Sequence, residues 1–329
     1  MTKRRLSNQQ KARVLRKKEE NINTTNSEEN FGAKQDGLVI KNYGNTILVE
    51  SNTGELHHCN YRQNIGTIIT GDKVIWQQQL SNKTGIITSV YPRVSILARP
   101  SKFSHDKKDI AANITQIIIV LAVEPEPIEH YIDRYLIACE NQKITPIIIL
   151  NKADLLNKKN NDFFTTLINR YQKIGYAIYT MCAYNINKNS ITFEQIFKNQ
   201  SSIFVGQSGV GKSQIIRSLL NTNNIKTGEI SNRNKKGKHT TTSTTLYHLS
   251  NNSIIIDSPG IREFGVWDLP IDAIYNGFRE FKSISSSCKY RNCDHTVNSP
   301  GCALQSAVIN GEIDELRLLN YHRILKDLE

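Results

Sequence analysis

Residues 206–213, Gly-Gln-Ser-Gly-Val-Gly-Lys-Ser, constrain this chain more than any other stretch. They match the pattern G-x4-G-K-S in full. The apolar segment SIFV precedes them and SQIIRSLL follows, so the octapeptide is expected to join a buried strand to a helix. Glycines there let backbone N–H groups wrap phosphate oxygens, and the start of a helix favours negative charge. Lys212 is expected to reach the β- and γ-phosphates, the catalytic contact, and Ser213 to ligate Mg2+. Gly206, Gln207, Ser208, Gly209, Val210, Gly211, Lys212, Ser213 and Gln214 are therefore the candidate phosphate-binding residues. The competing reading is a glycine-rich turn with an incidental Lys-Ser, which would need neither the strand nor the helix.

The flanking texture fits an α/β sheet. ITQIIIVLAV, from residue 114, is a continuous apolar run of the kind found in a central parallel strand. EHYIDRYLIACEN puts Ile132, Tyr135, Leu136 and Cys139 on one helical face. PIIIL reads as the next strand, and NDFFTTLINRYQK as the next helix, with Phe164, Leu167, Ile168 and Tyr171 on one side. YAIYT, SIFVG and SIIID complete the strands. Such alternation predicts a doubly wound sheet whose ligand lies beyond the carboxyl ends of the strands.

At the tip of PIIIL stands Asn151-Lys152-Ala153-Asp154. A carboxylate there can accept from guanine N1–H and the 2-amino group. Adenine offers neither donor, and a site built around such an acceptor rejects the unmatched base by about 10⁴-fold or more. Asp154 thus predicts GTP over ATP, with Asn151 and Lys152 bracing the loop and covering the base. An exposed turn with a capping Asp is the plain alternative, and the phosphate loop outweighs it. Asp257-Ser258-Pro259-Gly260, after SIIID, is a D-x-x-G element: Asp257 would face Mg2+ and the Gly260 N–H the γ-phosphate. Between these motifs, NKKGKHTTTSTT reads as a mobile switch loop in which Thr240 or Thr241 is a candidate Mg2+ ligand. The base reader comes before the phosphate loop, so the expected domain is circularly permuted. A sheet tolerates that rearrangement because domain termini often lie close together.

Ahead of this domain, residues 36–100 read as about five short strands with turn signals and no helical period. An oligonucleotide-binding (OB) barrel leads, with an SH3-like barrel as competitor. Residues 1–35 form a polar tail whose Lys3, Arg4, Arg5, Lys11, Arg13, Arg16, Lys17 and Lys18 are uninterrupted by acid. Together with a formal net charge of +12, that suggests an anionic partner, although a solvated tail is the simpler reading. No secretory signal or membrane span is visible; the longest apolar run, 117–123, is too short for a bilayer. A reducing, cytoplasmic setting follows. Of six cysteines, three are scattered, and Cys288, Cys293 and Cys302 cluster with His295. Three thiolates and one imidazole make a closed Cys3His set, suited to one structural zinc. The expected divisions are the tail, the barrel, a GTPase domain over 101–266 and a zinc-binding helical domain over 267–329.

NKADL, GQSGVGKS, GKHTTT, DSPGIREFG and the cysteine cluster, in this order, resemble the circularly permuted, ribosome small-subunit-dependent GTPase family over roughly residues 36–329. The resemblance implies zinc at Cys288, Cys293, His295 and Cys302, and a base contact at Cys182-Ala183 where the family usually has Ser-Ala. It implies the small ribosomal subunit and its rRNA as partners, and a role in late subunit maturation for what is expected to be a monomer. Ile261 follows Gly260 where many GTPases carry a water-orienting Gln, so slow intrinsic hydrolysis is expected, raised by a partner that orders the switch loop. His239 is then a candidate for positioning water, against its reading as a solvated loop histidine. A GTP-sensing RNA-binding protein without turnover is the other functional reading. An ATP-using P-loop enzyme is disfavoured by Asp154.

Overall fold

The computed structural model describes residues 31–80, 84–100, 107–184, 195–222, 244–258, 269–284, 287–296 and 299–327. Most of the basic tail, and His239, Thr240, Thr241, Gly260 and Ile261, lie outside the described residues.

Five strands open the described chain: β1 (Phe31–Asn42), β2 (Ile47–Ser51), β3 (Leu56–Tyr61), β4 (Lys73–Gln79) and β5 (Gly85–Val90). They pair in the order β1-β2-β3-β5-β4, and β4 returns to β1. β3 and β5 run parallel and the other pairs antiparallel. This is a closed five-stranded barrel of OB type. Alternate residues point inward, and Val39, Ile47, Val49, Cys59, Val74, Trp76 and Ile87 fill the interior. One strand of the barrel differs from the sequence expectation. The segment RVSILARP falls within the expected barrel span, 36–100, but forms β6 (Ile96–Pro100) and pairs with β7 (Lys107–Ala112) in a separate hairpin. The true member is β3, LHHCNY, which turns a single fully buried side chain, Cys59, inward. With so few branched or apolar residues its period is faint. The boundary expected at 100/101 falls within the β6–β7 hairpin.

The GTPase sheet contains β8 (Gln116–Ala122), β9 (Thr145–Asn151), β10 (Ala177–Thr180), β11 (Ser201–Val205), β12 (Thr245–Leu249) and β13 (Ser253–Asp257). Their order is β10-β9-β8-β11-β13-β12, parallel except for β12. β8 is buried along its whole length because both faces are covered. Its Ile117, Ile119 and Leu121 pack with α1 (Glu129–Gln142) and α2 (Asn161–Lys173). Its Ile118, Val120 and Ala122 pack with α3 (Lys212–Thr222) on the other face. The chain leaves β8 toward β9 and later returns on its other side at β11, so a crevice opens at their carboxyl ends. At the far edge, β12 continues the sheet into β1 through the pairing Lys41↔Thr245. Outward-facing Ile40 and Leu48 of the barrel join the α1–α2 core.

The C-terminal region comprises α4 (Ile271–Asn276), α5 (Ala303–Ile309) and α6 (Glu315–Lys326). Phe278, Phe281, Leu304, Tyr321 and Ile324 form its core together with Ile137 of α1. α1 is therefore covered on two sides, which is why His130, Asp133 and Arg134 are buried as well as the expected apolar face. The buried face of α6 is not purely apolar. Leu318, Tyr321 and Ile324 are buried beside Arg317, whereas Leu319 is half exposed. Arg317 and Asn320 are buried on that face with them.

Arg317 binds Asp133 of α1 through Nη1 and Glu280 through Nε at 2.6 Å. Tyr171 and Asn320 each donate to Asp133 at 2.7 Å. Burial works against the guanidinium charge, and Asp133 and Glu280 more than offset it, leaving its pKa raised. Removing one partner of such a fully buried pair leaves an uncompensated charge, at a cost of about 3–5 kcal/mol. Arg317→Ala is expected to destabilise the protein by that amount. Limited proteolysis should then cleave the C-terminal region before the GTPase sheet.

Candidate nucleotide site and metal cluster

Four loops meet at the carboxyl ends of the parallel strands. The phosphate loop leaves β11, as the strand–loop–helix pattern requires. Gly206 sits at φ +135°, and a Cβ there would lie 2.2 Å from the Val120 carbonyl oxygen. Only glycine permits the loop to pass so close to β8. Lys212 folds into the loop and donates to the carbonyls of Gly206 at 2.7 Å and Gln207 at 2.6 Å. The Gln207 side chain accepts from Ile128 N–H at 3.3 Å, tying the loop to the start of α1. Ser213 is exposed at the first turn of α3, with Gln214 beside it.

Asn151, the last residue of β9, is buried and serves two loops at once. Its Nδ2 donates to the Val210 carbonyl of the phosphate loop at 2.9 Å. Its Oδ1 accepts from Ala183 N–H at 3.0 Å. A side chain on Gly211, at φ +95°, would come within 2.3 Å of that Nδ2. The Asn thus needs glycine at 211, a dependence between two motifs sixty residues apart. Lys152 adopts a left-handed conformation, φ 58° and ψ 39°, and its Nζ donates to the Glu124 carbonyl at 2.6 Å. Asp154 follows in a single 3-10 turn, Ala153–Leu155, and is exposed. Cys182 and Ala183 follow β10, next to Met181, whose carbonyl accepts from Ala153 N–H at 3.0 Å. Ser218 of α3 donates to the Ala183 carbonyl at 3.1 Å, so this segment is held from both sides. Ser218 was not legible in the sequence, because it lies outside any motif and its contact is with a backbone oxygen.

Asp257 ends β13 on the same rim. Burial raises its carboxyl pKa, and the Arg217 and Lys212 cations pull it back only in part. A divalent cation beside it would hold the group ionised, so the residue fits the Mg2+-facing position. Arg217 is a further residue the motifs did not flag. Gly260, the partner of Asp257 in the D-x-x-G element, lies outside the described residues, as do His239, Thr240 and Thr241.

In the C-terminal region, one ligand atom each from Cys288, Cys293, His295 and Cys302 lies within 4.8 Å of the others. His295 Nδ1 is 3.7 Å from Cys288 Sγ and 3.6 Å from Cys302 Sγ. Tetrahedral Zn2+ with ordinary bond lengths demands S···N edges of about 3.6 Å. Burial pushes the Cys302 thiol up to about 11, so its thiolate form needs a cation. Tyr275 stacks on the His295 ring at 5.0 Å, and Gln305 donates to its carbonyl. The set can hold a zinc ion.

Comparison with known proteins agrees with this geometry. A sequence profile of the RsgA GTPase matches residues 90–267. The small ribosomal subunit biogenesis GTPase RsgA of Marinobacter nauticus is 41% identical over 343 residues, spanning 100% of this chain and 97% of that protein. The chain belongs to the RsgA GTPase family. It is therefore a GTP-hydrolysing enzyme. The RsgA of Klebsiella pneumoniae is 42% identical over 341 residues, spanning 100% and 96% of the two chains. Two solved structures share the fold. YjeQ from Thermotoga maritima has a TM-score of 0.71 at 26% identity, over 90% of this chain and 99% of that one. YloQ, described as a circularly permuted GTPase, has a TM-score of 0.69 at 26% identity, over 90% and 95%.

Asn151→Ala orphans the buried Val210 carbonyl and Ala183 N–H, at about 1–3 kcal/mol for each group. GDP affinity measured by titration should fall by about 10²-fold, with the melting temperature lowered only a few degrees. For this RsgA-family protein, one zinc per chain is expected by metal analysis. Cys293→Ser should reduce that content and destabilise the C-terminal region while leaving nucleotide affinity intact.

Proposed function

We propose that this enzyme hydrolyses GTP during assembly of the small ribosomal subunit, and that the maturing subunit stimulates it. The observation that carries the reading is the double hydrogen bond of Asn151, which ties the candidate base-reading segment to the candidate phosphate loop. The names of the full-length relatives supply the biological setting.

In this reading Asp154 accepts from guanine, while Lys152, Cys182 and Ala183 flank the base. Gly206, Gln207, Ser208, Gly209, Val210 and Gly211 present backbone N–H groups to the phosphates, and Gln214 completes the loop. Lys212 exchanges the loop carbonyls it now contacts for phosphate oxygens. Ser213, Asp257 and Thr240 or Thr241 hold Mg2+, and Gly260 meets the γ-phosphate. Mg2+, when bound, neutralises charge that develops on the phosphates. His239 orients the attacking water once the subunit orders the loop around it, since Ile261 offers no hydrogen bond. The zinc is structural, because four protein ligands leave no open position.

The OB barrel and the C-terminal region are the rRNA-binding surfaces in this reading. Barrel faces of this type carry strand contacts, and the basic N-terminal segment adds phosphate neutralisation. The protein would work as a cytoplasmic monomer; among the described residues no helix is long and apolar enough to cross a membrane.

The test is GTP turnover by the purified protein, alone and with small subunits, with ATP and large subunits as controls. Stimulation of at least tenfold by small subunits alone is expected. Equal rates with either subunit would overturn the partner assignment, and retained stimulation in His239→Ala would remove that residue from the mechanism.

A further inference from the structure

The barrel reaches the nucleotide site along two short lines. The first is backbone. Thr245, at the head of β12, pairs with Lys41 of the barrel on one side and with Asp257 on the other. The second is side chain. Thr70 Oγ1 donates to the Thr244 carbonyl at 3.2 Å, and the Thr244 and Ser258 hydroxyls lie 3.0 Å apart. Ser258 directly follows Asp257.

Thr70 is a fixed anchor. It is buried, 2% exposed, in a barrel loop pinned from three directions. Asp72, fully buried, accepts from Ile69 N–H at 2.8 Å and from Arg93 at 2.7 and 2.9 Å. Gly71 N–H donates to Val39 of β1, and Ala112 N–H of β7 donates to the Thr70 carbonyl, both at 2.9 Å. A hydroxyl on so well tied a loop resists displacement of Thr244, and a shift of Thr244 loads the hydrogen bonds that tie the loop.

We propose that Thr70 is a positioning residue of the GTPase site: through Thr244 it fixes Ser258, and so holds Asp257 where it meets nucleotide-bound Mg2+. The inference rests on the assignment of Asp257 made above. It makes the barrel and the nucleotide site one mechanical unit. A load on the barrel is felt at Asp257, and a nucleotide at Asp257 is felt at residues 69–72. Elements of the D-x-x-G type are the ones that reorder with the γ-phosphate, which gives the linkage a direction of signal.

The experiment uses the full-length protein and a fluorescent, non-hydrolysable GTP analogue titrated across Mg2+ concentrations. Hydrogen exchange of the Gly71 and Asp72 amides is followed in parallel. Thr70→Val removes the donor while keeping the shape, and Thr70→Ser restores it. Thr70→Val is expected to raise the Mg2+ concentration for half-maximal binding by about three- to tenfold, the worth of one hydrogen bond. It should leave GDP binding in EDTA unchanged and abolish the nucleotide-dependent change in exchange at Gly71 and Asp72. Thr70→Ser should recover both. An unaltered Mg2+ requirement in Thr70→Val would overturn the proposal. So would an equal loss of Mg2+-dependent and Mg2+-free binding alongside a lower melting temperature, which marks a purely structural role. Asp257→Asn separates the two levels: if it leaves the Mg2+ requirement unchanged, the assignment of Asp257 fails; if it raises the requirement while Thr70→Val does not, only the relay fails.

Discussion

The arrangement of the molecule depends on one buried ion pair. Arg317 enters from the last helix, is 1% exposed, and meets a fully buried Asp133 on α1. Neither charge tolerates that depth alone, so the C-terminal region is compelled to sit where the partners meet. Glu280, Tyr171 and Asn320 complete the hydrogen bonding, and the Arg317 guanidinium also lies 4.5 Å from the Phe278 ring centroid. The same contact fixes where the Cys3His cluster lies relative to the GTPase sheet, because Tyr321 and Ile324 share the helix with Arg317 and pack in the core beneath Cys302. A zinc site in a segment with a small core is thereby oriented by a helix that the GTPase domain grips.

At the other end, the barrel is joined by continuation of the sheet rather than by a charged lock. β12 pairs with β1 in a single register position, and Ile40 and Leu48 seal the junction with apolar contact. His248 of β12 and Glu50 of β2 add a hydrogen bond at 2.6 Å across it. The two junctions differ in kind. The C-terminal one is buried and polar, which favours a unique orientation. The N-terminal one is a narrow ladder beside β13, in which Thr245 pairs with both Lys41 and Asp257.

Permutation of the chain gives these junctions their importance. With the base reader ahead of the phosphate loop, β13 and its D-x-x-G element fall late, and the chain passes from them into the C-terminal region. The candidate nucleotide site is joined to the barrel through β12, and in sequence the chain runs on from β13 to the C-terminal region. Asn151 holds the site itself together, bridging a loop from β9 to loops after β10 and β11, as the sheet order allows.

Much of the fold is legible in the sequence. The candidate phosphate loop, Asn151, Asp154, Asp257 and the cysteine cluster are picked out as candidates by residue type and spacing, because phosphate, guanine and zinc each demand particular atoms. Strands of the parallel sheet are read from their continuous apolar runs, since both faces are covered. Other features were decided only by tertiary structure. β3 shows one buried side chain, and RVSILARP is a strand whichever sheet takes it, so pairing alone settled the barrel. The face of α6 followed from a charge buried across from Asp133, which no period of apolar residues encodes. The roles of Ser218 and Thr70 rest on backbone oxygens brought near by the fold. Sequence by itself determined which chemistry the chain carries, because that lies in side-chain type at close spacing. Only the tertiary structure decided how the three regions are coupled, because those contacts join residues distant in the chain, with no local pattern to mark them.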